Sequence, residues 1–282
     1  MAKIVHGMGS PHVPSIGAAI DHHKEAEEYW KPFFDGIEPV RDWHKNNLPD
    51  TIILVYNDHA STFSLQTIPT FALGLADEFE PADEGYGPRP VPVVKGDPEL
   101  AWHLANVLVS DEGFDLTLCN ELDVDHGLTV PLSIAYNRPD AWPVKVIPLA
   151  VNMVQAPQPS VKRCYALGKA IARAVASFPG ERNVAVWGTG GMSHQLQGER
   201  AGLLNVEYDA QFIEDLVNNP DSLEGLTFTE LLRETGSEGV ELAMWMIMRG
   251  ALPPEVQEQY RFMHRPVSNT SYGVTILKNG EL

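Results

Sequence analysis

The stretch Thr51-Ile52-Ile53-Leu54-Val55-Tyr56-Asn57-Asp58-His59 constrains the chain more than any other. Six residues of apolar or β-branched character read as a buried strand, and that strand runs straight into polar groups at its carboxyl end. In open α/β sheets ligands bind at the carboxyl edge, so a histidine delivered there is a candidate for chemistry. The pattern recurs three times. Ile4 and Val5 lead to His12, Phe114-Asp115-Leu116-Thr117-Leu118-Cys119 leads to His126, and Val184-Ala185-Val186-Trp187 leads to His194. One such histidine is ordinary; four sharing an edge are a constellation. The expected fold is α/β, a single domain over residues 1–282, with a central mixed β-sheet flanked by helices and the active site at the carboxyl ends of the strands.

Composition narrows the partners. The chain has 282 residues, 44% hydrophobic and 21% charged, with no apolar run long enough to span a membrane. Its start, Met1-Ala2-Lys3-Ile4-Val5-His6-Gly7, lacks the apolar core of a secretory signal, which makes a cytoplasmic location the expectation. A formal charge of −18 argues against nucleic acid and anionic membranes, which both require a basic patch. It leaves a small anionic substrate possible, because salt screens the global field beyond about 10 Å. Only Cys119 and Cys164 are present, so a metal would be held by nitrogen and oxygen donors.

Around His12 the order Gly7-Met8-Gly9-Ser10-Pro11-His12-Val13-Pro14 brackets the imidazole with prolines, a rigid setting suited to ligation. Residues 24–29 and 39–46 read as two short helices separated by Pro32 and Gly36, and His22 and His23 as solvated surface. The proline-rich residues 81–92 exclude regular structure and read as a long loop, either covering a site or lying on the surface. Asp97 caps a helix, as does Ser160, whose helix carries Gly168 and Ala172 for close approach to a sheet. Asp123 and Asp125 before His126 are compatible with ligation, with orienting the imidazole, or with plain solvation. The glycines of Gly188-Thr189-Gly190-Gly191-Met192-Ser193-His194 lack the spacing of a phosphate loop and instead allow a ligand to approach His194. Thr227 to Glu230 is a capping box, and Ser237 is placed to cap the next helix, through Gly250. Glu241 falls within that apolar helix, where an isolated carboxylate is costly unless it is paired or bound to a cation. Arg261, Arg265 and the hydroxyl and amide cluster after them could recognise a carboxylate or simply form a turn.

Two neutral imidazoles and one carboxylate make the donor set of non-haem Fe(II) oxygen chemistry, and of catalytic zinc as well. The segments Ser10-Pro11-His12-Val13-Pro14, Tyr56-Asn57-Asp58-His59-Ala60, Asp123-Val124-Asp125-His126-Gly127, Trp187 to Gln195 and Gly236-Ser237-Glu238-Gly239-Val240-Glu241 closely resemble those of the class III (LigB-type) extradiol ring-cleavage dioxygenases. Within that family the nearest likeness is to the catalytic β subunits of protocatechuate 4,5-dioxygenases, and it covers essentially the whole chain. The resemblance implies Fe(II) held by His12, His59 and Glu241, His194 as the acid/base residue and His126 as a second active-site histidine. Ser268 and Asn269 match its substrate-contacting region. It further implies a carboxylated catechol and O2 as reactants, with protocatechuate opened to 4-carboxy-2-hydroxymuconate semialdehyde. Gallate and methylgallate are alternatives that differ by a single ring substituent. A separate small helical α subunit and a hetero-oligomer such as α2β2 are implied too. A zinc hydrolase or a non-catalytic metal-binding interaction protein on the same scaffold are readings of another class, and the retained base His194 argues against the last.

Overall fold

The computed structural model describes residues 1–266 and 269–280. In chain order the elements are β1 (Lys3–Ser10), α1 (Pro14–Asp21), α2 (Lys31–Asn46), β2 (Thr51–Tyr56), β3 (Phe71–Gly74), β4 (Glu78–Phe79), β5 (Val94–Lys95), α3 (Pro98–Ser110), β6 (Thr117–Cys119) and α4 (His126–Tyr136). There follow β7 (Lys145–Val151), α5 (Val161–Ser177), β8 (Asn183–Thr189), α6 (Val206–Asn218), α7 (Pro220–Glu224), α8 (Phe228–Gly239), α9 (Leu242–Gly250), β9 (Val256–His264) and β10 (Tyr272–Asn279). The main sheet has the order β6-β3-β7-β2-β8-β1-β10-β9. Its centre, β7-β2-β8-β1, is parallel, whereas β10 and β9 join antiparallel on one side and β3 joins antiparallel on the other.

Strand β2 is buried at every position because both faces of the sheet are covered. Ile53 and Val55 feed a core shared with α3, α5 and α9, while Ile52, Leu54 and Tyr56 feed a second core against α1, α2 and α4. All nine residues of α9 are buried. A Cβ on Gly168 of α5 would lie 2.1 Å from the Ile247 carbonyl, and one on Gly250 would lie 2.3 Å from the Tyr165 carbonyl. The small residues of α5 thus admit helix α9 at backbone distance, where the sequence pointed to the sheet.

Several local expectations are corrected. The helix expected over 39–46 extends back to residue 31, and residues 24–29, expected as a helix, form turns. Pro32 sits in the first turn of α2, where its missing N–H has no helical partner to lose. Gly36 is a contact point, since a Cβ there would lie 2.0 Å from the Phe262 ring. Phe114 and Leu116 precede the short edge strand β6 instead of belonging to it, so His126 is reached from the sheet margin. Strands β3 and β9 had no counterpart in the sequence reading. Ser237 lies within α8, which bends at Gly236 (φ 89°), and its hydroxyl donates to Glu238.

On the buried face of α2, His44 packs fully buried against His6, Tyr136 and Trp187. Its Nδ1–H donates to the Val40 carbonyl at 2.9 Å, and its Nε2 has no hydrogen-bond partner among the described residues. Burial pushes the imidazole down from 6.5 to about 4, and burial lowers His6 in the same direction. The unfolded chain therefore binds more protons between those values, so stability is complete above pH ~6.5 and falls as acid approaches pH ~4. Between pH 7 and 5 the His44 contribution should fall by about 2 kcal/mol. Chemical denaturation across that range should show a shallower pH slope for His44→Gln than for the natural protein. Identical slopes would refute the assignment.

Candidate metal centre and active site

The neighbours β2, β8 and β1 end side by side, with Ser10 opposite Thr189 and Val55 opposite Gly188. Their carboxyl ends release three loops into the same space. His12 follows β1, and its Nδ1 lies 2.9 Å from the Thr189 hydroxyl oxygen at the end of β8. That hydroxyl donates its own proton to the Val55 carbonyl at 2.9 Å, so toward His12 it accepts. The proton of neutral His12 is thereby fixed on Nδ1, and Nε2 offers a lone pair. His59 follows β2, and Asp125 accepts both its backbone N–H at 2.7 Å and its Nδ1–H at 2.9 Å. The other oxygen of Asp125 caps α4 through Gly127 N–H at 2.8 Å. Burial works against this carboxylate, but its bonds to His59 and the nearby imidazoles bring its pKa down to about 2.

Glu241 stands at the turn between α8 and α9 and is 5% exposed. It is the N-terminal flanking residue of α9 rather than an interior one, and its side chain turns away from the helix toward the strand ends. Its Oε2 accepts the Gly191 N–H at 2.8 Å. Gly190 beside it has φ +131°, and a Cβ there would lie 2.5 Å from the Cβ of Glu241, so this turn requires glycine. Burial opposes ionisation of Glu241, yet His12, His194 and His59 outweigh it and hold the carboxyl well below its usual range. Desolvation lowers His12, while the Asp125 contact overcomes desolvation and raises His59.

The Nε2 atoms of His12 and His59 lie 3.2 and 3.9 Å from Glu241 Oε1. Ligand atoms of these three residues all fall within 4.8 Å of one another. Donors placed around one ion at about 2.0–2.2 Å stand roughly 3–4 Å apart, so the spacing fits a metal ion. So does the donor set, two imidazole nitrogens and one buried carboxylate. A second cluster of His59, Asp125 and His126 meets the same distance criterion, but there Nδ1 of His59 already donates to Asp125. It reads as the hydrogen-bonded support of the first.

His194 is held by its backbone N–H to the Thr235 carbonyl at 2.7 Å and by Nδ1–H to the Met192 carbonyl at 2.8 Å. A carbonyl only accepts, so Nε2 of the neutral ring is a base, 4.0 Å from Glu241 Oε2. Buried Asp209 secures this turn by accepting from the backbone and hydroxyl of Ser193 at 2.9 and 2.7 Å. His126 opens α4 and stacks on His59 with ring centres 3.9 Å apart. These groups line a cavity of about 390 Å³ whose apolar wall includes Val13, Met153 and Leu196.

Five of the residues singled out in the sequence, His12, His59, His126, His194 and Glu241, therefore meet at one cavity. Ser268 lies outside the described residues. Asn269 is exposed, and the neighbouring residue that lines the cavity is Thr270. Arg261 is committed to ion pairs with Glu258 and Glu214, and Arg265 is exposed. Thr189, Glu84 and Asp209 were not read from the sequence. Thr189 did sit at a strand end, the one signal it carried.

A family model described as the catalytic LigB subunit of aromatic ring-opening dioxygenase matches residues 6–275. Gallate dioxygenase of Pseudomonas putida is 41% identical over 198 residues, 70% of this chain and 58% of that protein. A 2,3-dihydroxyphenylpropionate/2,3-dihydroxicinnamic acid 1,2-dioxygenase of Klebsiella pneumoniae is 29% identical over 65% of this chain and 54% of its own length. One of the same description from Burkholderia vietnamiensis is 27% identical over 88% of this chain and 85% of its own. The match thus spans little more than half of the first two relatives. The crystal structure of an uncharacterized protein from Escherichia coli K12 shares the fold, with a TM-score of 0.62, 15% identity and coverage of 98% of this chain and 100% of that one.

Thr189→Val keeps the shape of the residue and removes the acceptor for His12 Nδ1–H. Leaving that buried donor unpaired should cost about 1–3 kcal/mol. Urea unfolding of the metal-free protein measures it, and an unchanged midpoint would mean that Thr189 does not hold His12.

Proposed function

The chain belongs to the LigB family of aromatic ring-opening dioxygenases, and from that membership we propose that it is the catalytic part of an Fe(II)-dependent extradiol dioxygenase acting on a carboxylated catechol. The observation that carries this reading is the convergence of two imidazole nitrogens and one carboxylate oxygen, with Nε2 of His194 beside them. His12, His59 and Glu241 would hold the iron on one face. Bound there, Fe(II) supplies a common site for catechol and dioxygen, and the ring itself supplies the electrons. The chain's own contribution is proton handling and exclusion of water. His194 Nε2 takes the proton of a catechol hydroxyl and later returns one as the ring opens. His126 borders the same space, and the apolar wall leaves one ring face dry.

Gallate is the substrate named for the relative at 41% identity, and protocatechuate lacks only one of its hydroxyls. We favour gallate on that likeness, with protocatechuate as the close competitor. Among the described residues lining the cavity there is no lysine or arginine, and Glu238 is present. The substrate carboxylate would therefore be met by neutral hydrogen-bond donors, for which Ser268 and Asn269 remain our candidates, or by a group from another chain.

Metal analysis and oxygen uptake test both halves of the site. Glu241→Ala should retain little iron, and stoichiometric iron in that variant would overturn the ligand set. His194→Ala should keep iron and catechol binding while turnover falls by about two to four orders of magnitude. Rates on gallate, protocatechuate and an uncarboxylated catechol rank the substrates.

The partner we propose is a small helical subunit seated over the cavity mouth, giving a hetero-oligomer. Leu196 and Val154 line the cavity yet are 51% and 50% exposed, and Val154 continues into a groove with Leu65 and Ile68, 65% and 38% exposed. Such a contiguous apolar rim is characteristic of an interaction surface. The gallate dioxygenase, moreover, has length beyond the match. Iron-loaded chain alone should be slow or aggregate, and co-expression with a helical subunit should raise its rate and its solution mass. Full activity as a lone monomer would defeat the proposal.

A further inference from the structure

Residues 81–92, expected as an irregular loop, are built with some care. At their start Ala82 N–H donates to the Val124 carbonyl at 2.9 Å, and Val124 N–H donates to Glu80 at 2.8 Å. The carboxylate of Asp83 then accepts N–H groups from Gly85 and Gly87, both at 2.8 Å, in a turn where those glycines have φ of +97° and +82°. At the far end Arg89 grips Asp21 through two bonds of 2.9 and 2.8 Å and Thr129 of α4 at 3.0 Å. The side chain presented between these anchors is Glu84. One of its oxygens accepts the backbone N–H of His126 at 2.9 Å, and the other accepts from Nδ1 of the same residue in a short contact. The ring of His126 is thus gripped at one edge by Glu84 and on one face by His59, 3.9 Å away.

We propose that Glu84 is a positioning residue for the ring-opening reaction, acting through His126 by fixing its proton on Nδ1 and aiming Nε2 into the substrate cavity. This rests on the reading that His126 faces substrate. A carboxylate accepts and does not donate here, so the neutral ring has only one tautomer available, and the backbone bond keeps Glu84 from swinging off the helix end. The arrangement repeats the Asp125 and His59 pair next to it, with one difference. Asp125 is buried and caps α4, whereas Glu84 is 27% exposed and lies on a loop. Neither Glu84 nor its loop touches the proposed iron ligands through hydrogen bonds, so the effect of removing it should be on turnover and not on metal retention.

Glu84→Ala should keep its iron and lower kcat by about 10–100-fold while KM moves little, and Glu84→Gln, which still offers an acceptor oxygen, should recover most of the loss. The double variant Glu84→Ala, His126→Ala should be no slower than His126→Ala alone, because one residue acts through the other. In the iron-free protein the strongly hydrogen-bonded imidazole N–H of His126 should give a downfield proton resonance that disappears in Glu84→Ala and moves upfield in Glu84→Gln. A capping role alone would lower thermal stability in Glu84→Ala and leave kcat, the double-variant result and the rescue without effect, which would overturn the proposal. If Glu84→Ala fails to fold, an unmoved resonance in Glu84→Gln overturns it equally. Full activity of His126→Ala would instead remove the role of His126 itself, whereas an impaired His126→Ala beside a fully active Glu84→Ala would remove only Glu84.

Discussion

The carboxylate of Asp125 is the joint on which the site depends. It accepts three N–H groups, two from His59 and one from Gly127, and so ties the loop after β2 to the first turn of α4. An anion at a helix N-terminus is stabilised by the orphan N–H groups and the helix dipole there, which helps keep it ionised despite its burial. Because it is ionised, the proton of His59 stays on Nδ1, and the ring's other nitrogen is left as an acceptor, which the Asn57 amide approaches at 3.1 Å. Because it caps α4, His126 begins that helix beside the ring of His59 instead of elsewhere. One side chain therefore sets the tautomer of one histidine and the location of another.

The remainder of the centre follows the same rule with different partners. Thr189 accepts from His12 and Met192 accepts from His194, so in each ring the nitrogen facing the protein is protonated and the one facing the cavity is bare. Glu241 is anchored by a backbone N–H on one oxygen, leaving the other for the centre. The parallel core of the sheet makes this economical, since strands β1, β2 and β8 end at one level and each loop needs only a few residues to reach the common point. A chain of charge −18 gathering two of its acids, Glu241 and Asp125, at a buried site is unfavourable on its own. A divalent cation held by neutral imidazoles and one carboxylate relieves it.

The sequence displayed the central strands because a strand covered on both faces is apolar at every position, as in Ile52 to Tyr56. It displayed the histidines because they follow such strands directly. It concealed β3 and β9, since β3 is only four residues long and β9 is an edge strand with no buried position to make a pattern. Gly36 and Pro32 read as breakers and are a packing contact and a first-turn residue, distinctions that depend on what lies across the interface. Ser237 had the right spacing for a cap and follows the break at Gly236, but its hydroxyl donates to the Glu238 carboxylate instead of accepting a backbone N–H. Glu84 was illegible for another reason. Its meaning comes from a contact 42 residues away, and no local period records that.

That last contrast separates two kinds of precision in one cavity. The groups placed to hold a cation are fixed by strands β1, β2 and β8 and by the buried turn before α9, and their supporting bonds are internal to the core. The groups that would border the proposed substrate are held more peripherally, with His126 gripped by a loop residue and the mouth edged by Val154, Leu196 and Thr270. Core positions change little without cost, because packing there transmits every displacement, whereas loops accept substitution more readily. In such an arrangement the metal chemistry can stay constant while the ring substituents that fit vary. On the proposed reading, the determinants of substrate choice then belong to the turn after β8 and the neighbourhood of Thr270, at the cavity's edge rather than around the proposed iron.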